Sequence, residues 1–200
     1  MVTTPIRLGL AGAHSTGKTT LARRIEMEIR ATGLTVARTG GLAKRAAELG
    51  FPKMARHTAA STEWIIASGA AATLEAELHA DIVIVDRTAY DALAYYLAAL
   101  HHRGEVAAPD ELDRLVTLAR LHAHRQALIM ATVLDPAARF TPPTGKDSDY
   151  PDTAFRSAVD QHLHQLLKDH HLNYVPVGRL DHAKAVQTAV TTVMESLETP

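Results

Sequence analysis

Gly12-Ala13-His14-Ser15-Thr16-Gly17-Lys18-Thr19 matches the pattern G-x-x-x-x-G-K-[ST] at every fixed position. Such a stretch suits one kind of chemistry. Its glycines let successive backbone N–H groups turn inward around an oligophosphate, and a helix starting just after it adds a dipole that favours negative charge. Lys18 then reaches the β- and γ-phosphates of a nucleoside triphosphate, and Thr19 offers its hydroxyl to a metal, so ATP and Mg²⁺ are the expected ligands. The candidate nucleotide-binding set is Gly12, Ala13, His14, Ser15, Thr16, Gly17, Lys18, Thr19 and Thr20.

A magnesium triphosphate site also needs a carboxylate facing the loop. Asp86 directly follows the apolar run Ile82-Val83-Ile84-Val85, which is where such an acid belongs, so Thr19 and Asp86 form the candidate metal pair. Asp86 is also the first candidate for an acid or base in catalysis, with Glu63 second. Arg87 follows at once, while Asp81 at the other end of the run reads as a solvated turn residue. Arg139, Lys146 and Arg156 lie in or beside an irregular, proline-rich segment, and of these Arg139 and Arg156 are preferred as cations that stabilise charge on a transferred group. Asp147, Asp149 and Asp152 in the same region read as solvated. Twelve histidines invite a metal reading, but residues two apart on a helix do not share a face and no H-E-x-x-H pattern occurs, so they read as surface residues. Trp64, Ile65 and Ile66 are candidates both for a pocket wall and for helix packing.

These groups must be held by regular elements. Ile6–Ala11 reads as a buried strand, and Leu21, Ile25 and Ile29 give helical spacing from Lys18 onward. Leu34–Arg38 reads as a second strand, Leu42–Leu49 as a short amphipathic stretch, and Thr58 to Ala80 as one long helix with a break near Gly69. Ile82–Val85 is the clearest strand, with the continuous apolar pattern of a parallel sheet covered on both faces. Thr88–Leu100 is helical, His101–Pro109 a polar loop, and Asp110 the N-cap of a helix to about Arg125. A strand over Ala127–Leu134, a mobile loop or lid over about 135–156, a helix from about Asp152 to His170, a strand over Leu172–Val177 and a closing helix from Asp181 complete the chain. The expectation is one domain over residues 1–200, α/β in class, a three-layer α/β/α sandwich on a five-stranded, mainly parallel sheet.

Composition narrows the field further. With 21 Lys plus Arg, 22 Asp plus Glu and a formal net charge of −1, the chain has no global attraction for nucleic acid or anionic lipid. The absence of cysteine excludes disulfides, thiolate catalysis and Cys-type metal centres. Neither a basic leader nor a run of about 20 apolar residues is visible, so a cytoplasmic location without membrane contact is expected.

The stretch Asp86-Arg87-Thr88-Ala89-Tyr90-Asp91-Ala92-Leu93-Ala94-Tyr95-Tyr96 resembles the Asp-Arg segment of thymidylate kinase-like enzymes and of NadR-type kinase domains, which phosphorylate nicotinamide riboside. Asp152-Thr153-Ala154-Phe155-Arg156 and Asn173-Tyr174-Val175-Pro176-Val177 resemble the carboxy-terminal part of the same NadR-type P-loop NTPases. This resemblance implies a kinase that passes the γ-phosphoryl group of Mg-ATP to a small nucleoside- or nucleotide-like acceptor. It also implies that Asp86 and Arg87 lie beside the acceptor, with Arg87 holding a phosphate or hydroxyl, and it implies a lid arginine and a homodimer. Relatives often carry an acid on or after the second strand, whereas Thr35–Gly41 contains none, which passes the role of base to Asp86. A kinase for another hydroxyl (antibiotic, sugar or modified DNA base) and a regulatory ATPase or switch without an acceptor stand as alternatives. The N-K-x-D motif of base-reading switches is absent.

Overall fold

In the sheet of the computed structural model, β1 (Ile6–Ala11) is the central strand. The structure describes residues 4–135, 137 and 153–198. Elements follow in the order α1 (Lys18–Ala31), β2 (Val36–Thr39), α2 (Leu42–Glu48), a 3-10 turn (Met54–Arg56), α3 (Ala59–Glu77) and β3 (Ile82–Asp86). Then come α4 (Ala89–Arg103), α5 (Pro109–Ala123), β4 (Gln126–Thr132), α6 (Thr153–Asp169), β5 (Tyr174–Val177) and α7 (His182–Glu198). The five strands are all parallel in the order β2-β3-β1-β4-β5.

Alternation along β1 separates two cores. Ile6, Leu8 and Leu10 pack with Leu21, Ile25 and Ile29 of α1 and with Ala185, Val186 and Ala189 of α7. Ala11 faces the other side, where Leu93, Leu115, Phe155 and Leu163 of α4, α5 and α6 form the larger cluster. The result is the expected three-layer α/β/α sandwich with helices on both faces of the sheet, the fold of P-loop NTPases.

Several local expectations are corrected. Asp110 is not the N-cap of α5: the cap is Ala108, and Pro109 takes the first helical position, where its fixed φ is favourable and its missing N–H costs nothing. Residues 101–103 extend α4 instead of forming a loop, and Gly104 ends the helix at φ 68. Helix α3 runs unbroken through Gly69, whose bare Cα lets Leu42 Cδ1 approach to 3.1 Å of where a Cβ would stand. Asp81 is not solvated; it is 7% exposed and accepts hydrogen bonds from Thr35 N (2.9 Å) and Thr35 Oγ1 (2.5 Å), tying β2 to β3. Most of the segment read as a lid lies outside the described residues, and with it Arg139, Lys146, Asp147, Asp149 and Asp152. Among the described residues, no helix is long and apolar enough to cross a membrane.

Candidate functional site

The loop between β1 and α1 is shaped by three residues with left-handed backbone: Gly12 (φ 143), Ser15 (φ 58) and Gly17 (φ 89). Gly12 is required on two counts, since a Cβ there would lie 1.9 Å from Thr132 Oγ1 as well as facing the unfavourable φ. Gly17 caps α1 with no side-chain hydrogen bond, and the first turn holds no acid, which leaves its N–H groups available to an anion. Thr19 and Thr20 are exposed on that first turn. Thr132, at the end of β4, hydrogen-bonds Thr16 Oγ1 at 2.5 Å and donates to Ala11 O at 3.2 Å, bracing the loop from beneath.

Lys18 is buried and its ammonium donates to Ala13 O. Burial, with Arg87 next in size, lowers its pKa to about 7 against the pull of Asp91 and Asp86. Arg156, from the first turns of α6, donates to His14 O and Ser15 O, both at 3.0 Å. His14 N donates to Tyr95 Oη at 2.9 Å, and His14 Nδ1 lies 3.0 Å from the same hydroxyl. Burial, aided by Arg156, Arg87 and Lys18, lowers the His14 pKa to about 4, so the ring is neutral.

Asp86 ends β3 in register with Leu10, level with the start of the loop. Gly40 permits the close pass of the chain after β2, where a Cβ would stand 3.1 Å from Asp86 O. Arg87 adopts φ 82 while its N–H donates to Leu10 O at 2.9 Å, a strained backbone held by the sheet. Its guanidinium lies 5.5 Å from the centre of the Tyr95 ring. Burial opposes the Arg87 charge, but Tyr95, Asp91 and Asp86 outweigh it and raise the pKa.

Asp91 is a site residue that the sequence reading did not single out. It is 3% exposed and accepts from Gly12 N (3.0 Å), Thr88 N (2.8 Å) and Thr88 Oγ1 (3.0 Å). It thus closes the capping box of α4 and clamps the phosphate loop at the same time. Burial raises its pKa despite Arg87 and Lys18. The spacing of Thr88 and Asp91 as T-x-x-D before a helix was the signal that could have found it.

A cavity of about 390 Å³ adjoins this arrangement. His14, Asp86, Arg87 and Asp91 line it at the loop end, and α2, α3 and α4 form its walls. His57 also lines it; the ring is 5% exposed, burial lowers its pKa to about 4, and its Nε2 has no hydrogen-bond partner. The surface reading of the histidines therefore fails for His57, while His14, read as part of the phosphate loop, is buried there. Glu63 is not in this site, because it points from α3 to Arg114 of α5 at 2.6 Å on the exterior. Trp64 stacks on Phe51 at 5.5 Å, whereas Ile65 and Ile66 do line the cavity. Among the described residues no group of three or more His, Asp or Glu could hold a metal alone. The donor set suits Mg²⁺ shared with phosphate, which takes one or two protein oxygens and keeps its other ligands from substrate and water.

No curated protein matches the chain. The crystal structure of NadR protein in complex with NR superposes with a TM-score of 0.62 at 16% identity, over 96% of this chain and 50% of that one. The chain thus spans about half the length of that protein, and the likeness is one of fold. A family model described as AAA domain matches residues 7–184. With nearly all of the sheet and the phosphate loop inside that match, the chain belongs to the AAA domain family of P-loop nucleotide-binding proteins.

Proposed function

We propose that the protein is a kinase that transfers the γ-phosphoryl group of Mg-ATP to a small nucleoside- or nucleotide-like acceptor. The observation that carries this reading is the cavity: a chamber of about 390 Å³ opens on the phosphate loop and bears Asp86 and Arg87 where the two meet. Phosphoryl transfer needs such a space for an acceptor, whereas hydrolysis needs room only for a water.

The backbone N–H groups of the loop and of the first turn of α1, apart from those of Gly12 and His14, which Asp91 and Tyr95 already engage, hold the donor phosphates, and Lys18 leaves Ala13 O for their oxygens. Thr19 and Asp86 hold the metal, which when bound neutralises charge on the phosphates. Asp86 also orients the acceptor hydroxyl and takes its proton. Arg87, fixed against Tyr95, supplies positive charge beside the acceptor. Arg156 acts through the loop, whose carbonyls it restrains.

Incubation with γ-labelled ATP, Mg²⁺ and a panel of nucleosides, nucleoside monophosphates and nicotinamide riboside tests the proposal. Label in an acceptor supports it. Release of free phosphate alone, whatever is added, favours the acceptor-free ATPase.

A further inference from the structure

The inner end of the cavity is built from charged and polar side chains that lie on the sheet. Arg7 and Gln126 are Cα partners across β1 and β4, so their side chains leave the same face. Gly9 makes room between them and the loop: a Cβ there would stand 2.2 Å from Gln126 Oε1, so the amide lies across β1. Arg7 is 3% exposed, and its Nε is engaged by Glu77. That leaves Arg7 Nη2 buried with no hydrogen-bond partner, and Gln126 Oε1 is in the same condition. Both residues line the cavity. Buried polar atoms are nearly always paired, so a donor and an acceptor left over on one wall mark where a ligand supplies the complement.

Position and charge define that ligand. Asp86 is level with Leu10, and Arg7 lies three residues nearer the start of the strand, about 10 Å deeper at some 3.3 Å per residue. A nucleoside with its reacting hydroxyl at Asp86 extends its base in that direction. Arginine donates and never accepts, so the atom over Nη2 must be an acceptor, while Gln126 Oε1 calls for an N–H. A carbonyl beside a ring N–H, the lactam edge of uracil, thymine, hypoxanthine or guanine, provides both; adenine has the two roles exchanged. The lining carries Arg7, Lys44, Lys53 and Arg87 against Asp86 and Asp91, which disfavours a cationic ring such as a pyridinium.

We propose that the acceptor is a nucleoside with a neutral, lactam-edged base, and that Arg7 and Gln126 select it. The proposal rests on the kinase reading above, and binding measurements separate the two. Calorimetric titration of the full chain, saturated with Mg²⁺ and a non-hydrolysable ATP analogue, compares inosine, uridine, adenosine and nicotinamide riboside. Inosine or uridine should bind at least about tenfold more tightly than the other two, since a site that hydrogen-bonds a group rejects ligands lacking it. Gln126→Leu should erase that preference and leave affinity for the ATP analogue unchanged; Gln126→Glu, which keeps the acceptor oxygen, should retain it. The ranking by the parent chain decides the matter even where a variant fails to fold. Equal or tighter binding of adenosine or nicotinamide riboside overturns the inference and leaves the kinase standing. Failure of all four to bind, with the ATP analogue still bound, overturns it together with the nucleoside acceptor.

Discussion

Asp86 and Asp91 are five residues apart and both line the cavity, yet the structure gives them opposite tasks, and replacing each by alanine separates them. Asp91→Ala strips the partner from two buried N–H groups, those of Gly12 and Thr88. Each unpaired buried donor costs about 1–3 kcal/mol, and relief of the buried carboxylate offsets part of that, so about 3 kcal/mol should be lost. For a domain of this size, about 2–4 °C of melting temperature per kcal/mol gives a fall of about 6–12 °C. Asp86 is only half buried and has no side-chain hydrogen bond among the described residues, so Asp86→Ala should stay within about 0.5 kcal/mol of the parent. Urea unfolding followed by circular dichroism measures both. A cost below 1 kcal/mol for Asp91→Ala, or an equal cost for the two variants, would refute the assignment of Asp91 as the clamp between the loop and α4.

Three further outcomes are expected. Lys18→Ala should abolish label transfer while melting at or above the parent temperature, because it removes an ammonium whose burial already lowers its pKa to about 7; a lower melting temperature contradicts this. Asp86→Asn should slow transfer by about 10²-fold or more, measured at saturating ATP, and a loss under about tenfold moves the role of base elsewhere. His57 has a folded pKa of about 4 against an ordinary 6.5, so below pH 6.5 the unfolded chain takes up a proton that the native state refuses. His57 should therefore contribute a fall of about 3 kcal/mol between pH 6.5 and 4, beside a similar one from His14, and a parallel urea series on His57→Gln should show a shallower fall than the parent.

The phosphate loop and the strands beside it could be read from the sequence because they are local: glycine spacing, a lysine, and apolar runs bounded by acids. Everything that depended on which face meets which partner was harder to see. Glu63 and Asp91 are both carboxylates on helices, and only packing sends one to Arg114 outside and the other to Gly12 inside. Arg7 is the one charge inside the apolar run Ile6–Ala11, and only packing shows that its buried side chain meets Glu77 of α3. Helix ends shifted for equally local reasons, with Pro109 claiming the first turn ahead of Asp110.

The central place of β1 has a consequence for biosynthesis. Its two neighbours are β3 and β4, so the strand that leaves the ribosome before the others cannot be flanked on both sides until Thr132 has been made. At translation rates of about 5–20 residues per second, the roughly 120 residues between them take about 6–24 s. During that interval Ile6, Leu8 and Leu10 have α1 alone to cover them, since α7 comes later still. The nascent chain thus carries an open strand edge beside its phosphate loop, a window in which chaperones have their best hold on it and in which slowed synthesis would favour aggregation.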